Sequence, residues 1–228
     1  KANGSAVPKG SFTIGYNDLA GGYDITLSSL YAQWAETVYN IHVNGGETIA
    51  NLIIDIDGPS AGSPLTVRVL SEAPGYCLNI QNIAQFGNAE TMLLLVQAQQ
   101  DIGSVQAEVI GNIIAGRDVI GPVVSTTPNN SVRGVTWVQA GRDVLGDVMA
   151  DLGRIGLVWG QRNIGMAGDP IEIRCKHGVT QIAGYDVYAN VNSRFNSGTG
   201  GLWSFTCDRF YGSMNIEKLV FNTSGGVD

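Results

Sequence analysis

The chain has 228 residues, of which 44% are hydrophobic, only 14% are charged and 31 are glycine. That length buries a sizeable core in one large all-β domain or two small ones, and the composition is too apolar for a disordered tail. With 20 acidic against 13 basic residues, a net charge of -7 and a pI near 4.7, it has no basic stripe of the kind that nucleic acid or an anionic membrane surface demands.

The chain opens at Lys1, as a processed product or a portion of a longer protein would, and a removed secretory signal fits. "KANGSAVPKGSFTIG" reads as a loose arm followed by a short strand. In "LSSLYAQWAETVYNI", Leu30, Trp34 and Val38 would share one face of a short capping helix, but a strand over Thr37 to Val43 running into the turn Asn44 to Glu47 is the preferred reading. "TIANLIIDIDG" and "LTVRVLSE" then read as strands separated by the loop Gly58 to Pro64. Asp55 and Asp57 alternate before a glycine turn and are a weak calcium candidate, since the bidentate Glu and spacing of the familiar twelve-residue loop are missing. Outward-facing strand carboxylates are the plainer account of them. The longest apolar run, "TMLLLVQA" at Thr91 to Ala98, is too short to span a bilayer, so no membrane insertion is expected. Residues 1–100 are therefore a β-rich N-terminal segment: irregular first coils or a separate cap.

From Asp101 the pattern changes. "AGRDVIG" at Ala115 to Gly121 returns as "AGRDVLG" at Ala140 to Gly146, and a shorter unit, apolar-Gly-any-apolar, recurs at Ile102, Ile110, Ile120, Leu145, Leu152 and Ile164. Aligning the arginines gives a column Arg117, Arg142, Arg162, Tyr185 and Arg209, at steps of 25, 20, 23 and 24. Strand-forming residues come in runs of three to five, each stopped by Gly, Asp or Asn. Such strands cannot shield their apolar side alone; stacked in register at about 4.8 Å per coil they can. The expected fold is all-β: a parallel β-helix over residues 101–228, with three short strands per coil of about 20–25 residues and about five coils. "STTPNNSVR" and "NSRFNSGTGG" are expected to leave the coil as loops.

The runs "DIGSVQAEVIGNIIAGRDVIG" and "AGRDVLGDVMADLGRIGLVWG" resemble glycine-rich β-solenoid repeats of large secreted and surface proteins of bacteria, planctomycete-like ones especially. The resemblance covers about Asp101 to Ala189. It implies a right-handed parallel β-helix, export to the cell exterior, and a structural or adhesive role.

Four groups of residues are candidates for chemistry. Arg117, Arg142 and Arg162, beside Asp118, Asp143 and Asn163, would either grip an acidic glycan through their planar forks or cancel charge at coil corners. Trp137, Trp159 and Trp203 with Tyr185, Tyr188 and Tyr211 would line a sugar-stacking surface or fill corners and a subunit contact. His42 and His177 are the only histidines and stand in no nucleophile, zinc or phosphate-loop motif, so no catalytic residue and no cofactor is assigned. Cys175 and Cys207 are the candidate disulfide among three cysteines, the alternative being buried thiols that act as small apolar residues. The leading expectation is a non-enzymatic, extracellular or cell-surface structural protein that joins copies of itself head to tail or by arm exchange. Its rival is a β-helix that binds or cleaves extracellular polysaccharide.

Overall fold

The computed structural model describes residues 11–28, 38–42, 47–56, 65–70, 80–87, 91–126, 134–193 and 200–216. They form twenty strands: β1 (Ser11–Asn17), β2 (Gly22–Ser28), β3 (Val38–His42), β4 (Ile49–Ile56), β5 (Leu65–Leu70), β6 (Ile80–Gly87), β7 (Thr91–Ala98), β8 (Ile102–Ala107), β9 (Val109–Ala115), β10 (Val123–Ser125), β11 (Val135–Ala140), β12 (Asp143–Val144), β13 (Val148–Ala150), β14 (Ile155–Gly160), β15 (Asn163–Ile164), β16 (Ile171–Cys175), β17 (Val179–Ala183), β18 (Asp186–Asn192), β19 (Leu202–Thr206) and β20 (Arg209–Asn215). No helix occurs among the described residues.

The strands build a β-solenoid from two sheets. Sheet A has twelve strands, stacked β1-β2-β4-β6-β8-β10-β13-β16-β18, with β12 and β15 alongside and β20 on β18; sheet B has eight, β3-β5-β7-β9-β11-β14-β17-β19. Apart from the antiparallel β1–β2 hairpin, all pairing between strands is parallel. From Ile102 onward, β9, β11, β14, β17 and β19 mark five successive coils. Both sheets also run back without a break, β8 pairing with β6 and β9 with β7. β3 falls within the strand expected over Thr37 to Val43, while Leu30 and Trp34 of the helix alternative lie outside the described residues.

The core is a set of in-register columns. In sheet A, Val105, Val123, Val148, Ile173 and Val191 stack in one, while Ile102, Val119, Val144, Ile164 and Val187 stack in another. Sheet B contributes Ile110, Val135, Ile155, Val179 and Leu202. All fifteen are buried. β-Branched side chains suit this geometry because each lies on a like neighbour in its preferred rotamer.

Three stretches per coil are seen only in the middle of the chain. There the sheet A strand is cut in two, β12 and β13 in one coil, β15 and β16 in the next. Gly165 (φ 71°) and Gly168 (φ 84°) turn the backbone outward between β15 and β16. One coil later β18 runs straight across the same position and pairs with both. Among the described residues the remaining coils have two strands.

Candidate functional site

The corner between the two sheets carries the arginine column. Arg117, Arg142 and Arg162 follow one another up the stack, each backbone N–H donating to the carbonyl oxygen of the residue below: Arg142 to Arg117 at 2.8 Å, Arg162 to Arg142 at 2.8 Å and Tyr185 to Arg162 at 2.7 Å. Every guanidinium reaches down to the aspartate of the coil beneath. Arg117 Nε donates to Asp101 at 2.7 Å, Arg142 Nε to Asp118 at 3.1 Å and Arg162 Nε to Asp143 at 3.0 Å, and each Nη2 donates to the second carboxylate oxygen of the same aspartate. The same carboxylates also accept the backbone N–H of the residue stacked above them: Asp118 onto Asp101, Asp143 onto Asp118 and Asn163 onto Asp143, at 3.0–3.1 Å. The aspartates are buried and the arginines half exposed.

Burial by itself would raise the pKa of Asp143. The Arg162 hydrogen bond, the Asn163 N–H and the charges of Arg162 and Arg142 outweigh it and hold the carboxyl below its usual range. The guanidiniums are therefore engaged within the protein, and the geometry is that of a corner clamp between coils.

The ladder has one gap, and the gap is consistent with its logic. Where the aspartate is replaced by Asn163, the residue above is Tyr185 instead of an arginine. The arginine alignment of the sequence needs one correction here. Asp208, not Arg209, continues the column, its N–H donating to the Tyr185 carbonyl oxygen at 2.9 Å. Arg209 lies one residue on, directly over Asp186. From there it donates to both Asp186 oxygens, at 2.7 and 2.6 Å, with its guanidinium 5.8 Å from the Tyr185 ring centre.

The aromatic candidates do not form one surface. Trp137, Trp159 and Trp203 belong to β11, β14 and β19 of sheet B, whereas Tyr188 and Tyr211 stack ring on ring on β18 and β20 of sheet A, centres 4.7 Å apart and planes at 8°. Tyr185 stands at the corner. Of the five candidate binding residues, Arg117, Arg142, Arg162 and Tyr185 thus share one column and Trp159 faces out from sheet B. A second ion cluster on sheet A joins Arg174 to Asp151 at 2.6 Å and to Glu172 at 3.0 Å.

The other candidates fall apart. His42 ends β3 and His177 precedes β17, six rungs away, roughly 29 Å at about 4.8 Å per rung. Cys175 and Cys207 are free thiols. Cys175 continues the small-residue column Ala107, Ser125, Ala150, and burial pushes its thiol up to about 11. Asp55 is in β4 but its side chain, like Asp57 and Cys77, lies outside the described residues, among which no cluster of metal-ligating side chains occurs.

One end of the stack is the feature that sequence reading caught only in outline. Gly21 (φ 64°) closes the β1–β2 hairpin, with the Gly21 N–H donating to the Asn17 carbonyl oxygen at 2.9 Å. Phe12, Ile14 and Tyr16 lie opposite Leu27, Ile25 and Tyr23, and Ile25 and Leu27 pack on the core. Cross-strand partners share a face, so β1 carries the core face one strand further. Sheet B ends at β3 and supplies no described strand to meet it. Phe12 is 69% exposed, Ile14 57% and Tyr16 58%, with Leu19 fully exposed at the hairpin tip.

Stacked coils, in-register columns and an inter-coil ladder define the class as a parallel β-solenoid. Compared with protein-family models, with curated proteins and with solved structures, the chain matches none of them.

Proposed function

We propose that the protein is a structural solenoid of the cell exterior, of the bacterial secreted or surface type, which joins copies of itself end to end. The observation that carries this reading is the overhang of β1. A strand with one edge unpaired among the described residues, and three large apolar side chains that no described strand of sheet B covers, is a template for another strand. Covering Phe12, Ile14 and Tyr16 would contribute roughly 1.5–3 kcal/mol for each side chain. The occupant is a second copy, whose β20 end offers an open sheet A edge beyond β18 among the described residues. Head-to-tail contact of this kind does not close on itself and yields filaments. The placement outside the cell rests on the resemblance of the Asp101–Ala189 repeats to exported solenoids.

Sedimentation velocity over a wide concentration range tests the reading. Species growing with concentration are expected for the native chain, and Ile14→Lys, which sets a charge on the edge strand, should return it to monomer without lowering its melting temperature. A native chain that stays monomeric at its highest concentration would overturn the proposal.

A further inference from the structure

The outer face of sheet B is uncharged over most of its length. β7, β9, β11, β14, β17 and β19 contain no Asp, Glu, Lys, Arg or His at any position, in a chain with 20 acids and 13 bases. Between the inward residues of each strand the outward ones form rows. Asn112, Trp137, Leu157, Gln181 and Ser204 make one, and Ile114, Gln139 and Trp159 make the next. Trp137 is 41% and Trp203 43% exposed. Trp203 is held in place: its ring lies so close to Gly178 that a Cβ there would stand 2.7 Å from it, and the Arg154 guanidinium sits 5.7 Å from its centre.

We infer that this face binds an uncharged polysaccharide laid along the solenoid axis, across the strands. The indoles of Trp137 and Trp159 take the apolar faces of sugar rings, and Asn112, Gln139 and Gln181 take hydroxyl groups. These strands themselves offer an ionic ligand no charged side chain, and Arg154, just before β14, lies over the Trp203 ring. A second copy packed here would have to align its own amides on those three or bury them without hydrogen bonds, at a cost of about 1–3 kcal/mol for each. Sugar hydroxyls donate and accept, and so satisfy them. Rungs recur at about 4.8 Å, so a linear polymer laid across them passes Asn112, Trp137, Leu157, Gln181 and Ser204 in turn. This inference is independent of end-to-end association, which uses β1.

Isothermal titration of the full chain with mixed-linkage β-glucan, xyloglucan and galactomannan, at low and high salt, provides the test. Binding to at least one of them, insensitive to salt, is expected. Trp137→Ala and Trp159→Ala should each weaken it roughly tenfold, the loss of an aromatic contact, while Trp137→Phe retains most of it. Tyr211→Ala, on the other sheet, should bind as the native chain does. Melting curves report folding, and if an alanine variant unfolds, the Trp137→Phe affinity and the tryptophan emission shift of the native chain on binding decide. Binding to none of the three polymers would overturn the inference. So would a Trp137→Ala variant that loses self-association, since a second copy would then own the face.

Discussion

At the scale of the residue, the doubled heptapeptide has a reason for each letter. Ala115 and Ala140 point into the core, as do Val119 and Val144, all but fully buried. The arginine clamps the aspartate below, and the aspartate caps the N–H above. Ile120 faces out. The two glycines are needed for approach, because a Cβ on Gly141 would stand 2.2 Å from the Gly116 carbonyl oxygen, and one on Gly146 would stand 1.9 Å from that of Gly121. Backbone cannot move aside as a side chain can, so Gly146→Ala should cost about 3 kcal/mol or more in urea unfolding. Gly168→Ala, with φ +84° but nothing within 4 Å, should cost only the left-handed strain, about 1–2 kcal/mol. Equal losses at the two sites would refute the close-approach account. Removing the clamp is the complementary test. Asp143→Ala orphans the Asn163 N–H and should destabilise by about 1–3 kcal/mol, whereas Asp143→Asn keeps an acceptor and should cost less. The native carboxyl titrates below its unfolded value, so its contribution is complete above pH of about 4 and fades as pH falls through the depressed value. Asp143→Ala should therefore flatten the acid decline of the urea midpoint.

At the scale of the element, much of the stacking was legible because a parallel coil sets like over like. Arg117 and Arg142 read as neighbouring rungs and are, with the chain running in the same direction through both. What sequence letters do not carry is register to one residue. "GRDV" places Arg before Asp and "CDRF" reverses them, so matching arginine to arginine shifts the last rung by one, and the strand register, with Arg209 over Asp186, sets it right. Likewise six aromatic residues look like one surface until the two sheets send the tryptophans to one face, Tyr188 and Tyr211 to another, and leave Tyr185 at the corner. The ladder gap yields a prediction at this scale. Asn163→Asp alone leaves a carboxylate beneath a tyrosine, and Tyr185→Arg alone sets a guanidinium over an amide. Together they restore the clamp, so a double-mutant cycle should show favourable coupling of about 0.5 kcal/mol or more. Simple additivity would mean that the pairing of Asn163 with Tyr185 along the chain has no energetic basis.

At the scale of the molecule, coils touch only their neighbours, so stability is a sum of rungs and of the interfaces between them, and the ends should open before the middle. Hydrogen exchange in dilute solution should accordingly find the slowest amides in β11, β14 and β17, which have a rung on either side, and the fastest in β1, whose outer edge is unpaired among the described residues. Concentration then separates the assembly from the glycan face. If copies join through β1, its edge N–H groups acquire carbonyl partners, and their protection should rise with protein concentration while that of β14 stays constant. An uncharged polysaccharide should leave β1 unchanged, because sugars on the outer face of sheet B do not touch strand edges. Ile14→Lys should abolish the concentration dependence and leave the protection of β11 to β17 as it was. Protection of β1 that is already complete in dilute solution would mean that the edge is covered within one chain, and the growth of filaments from that end would lose its basis.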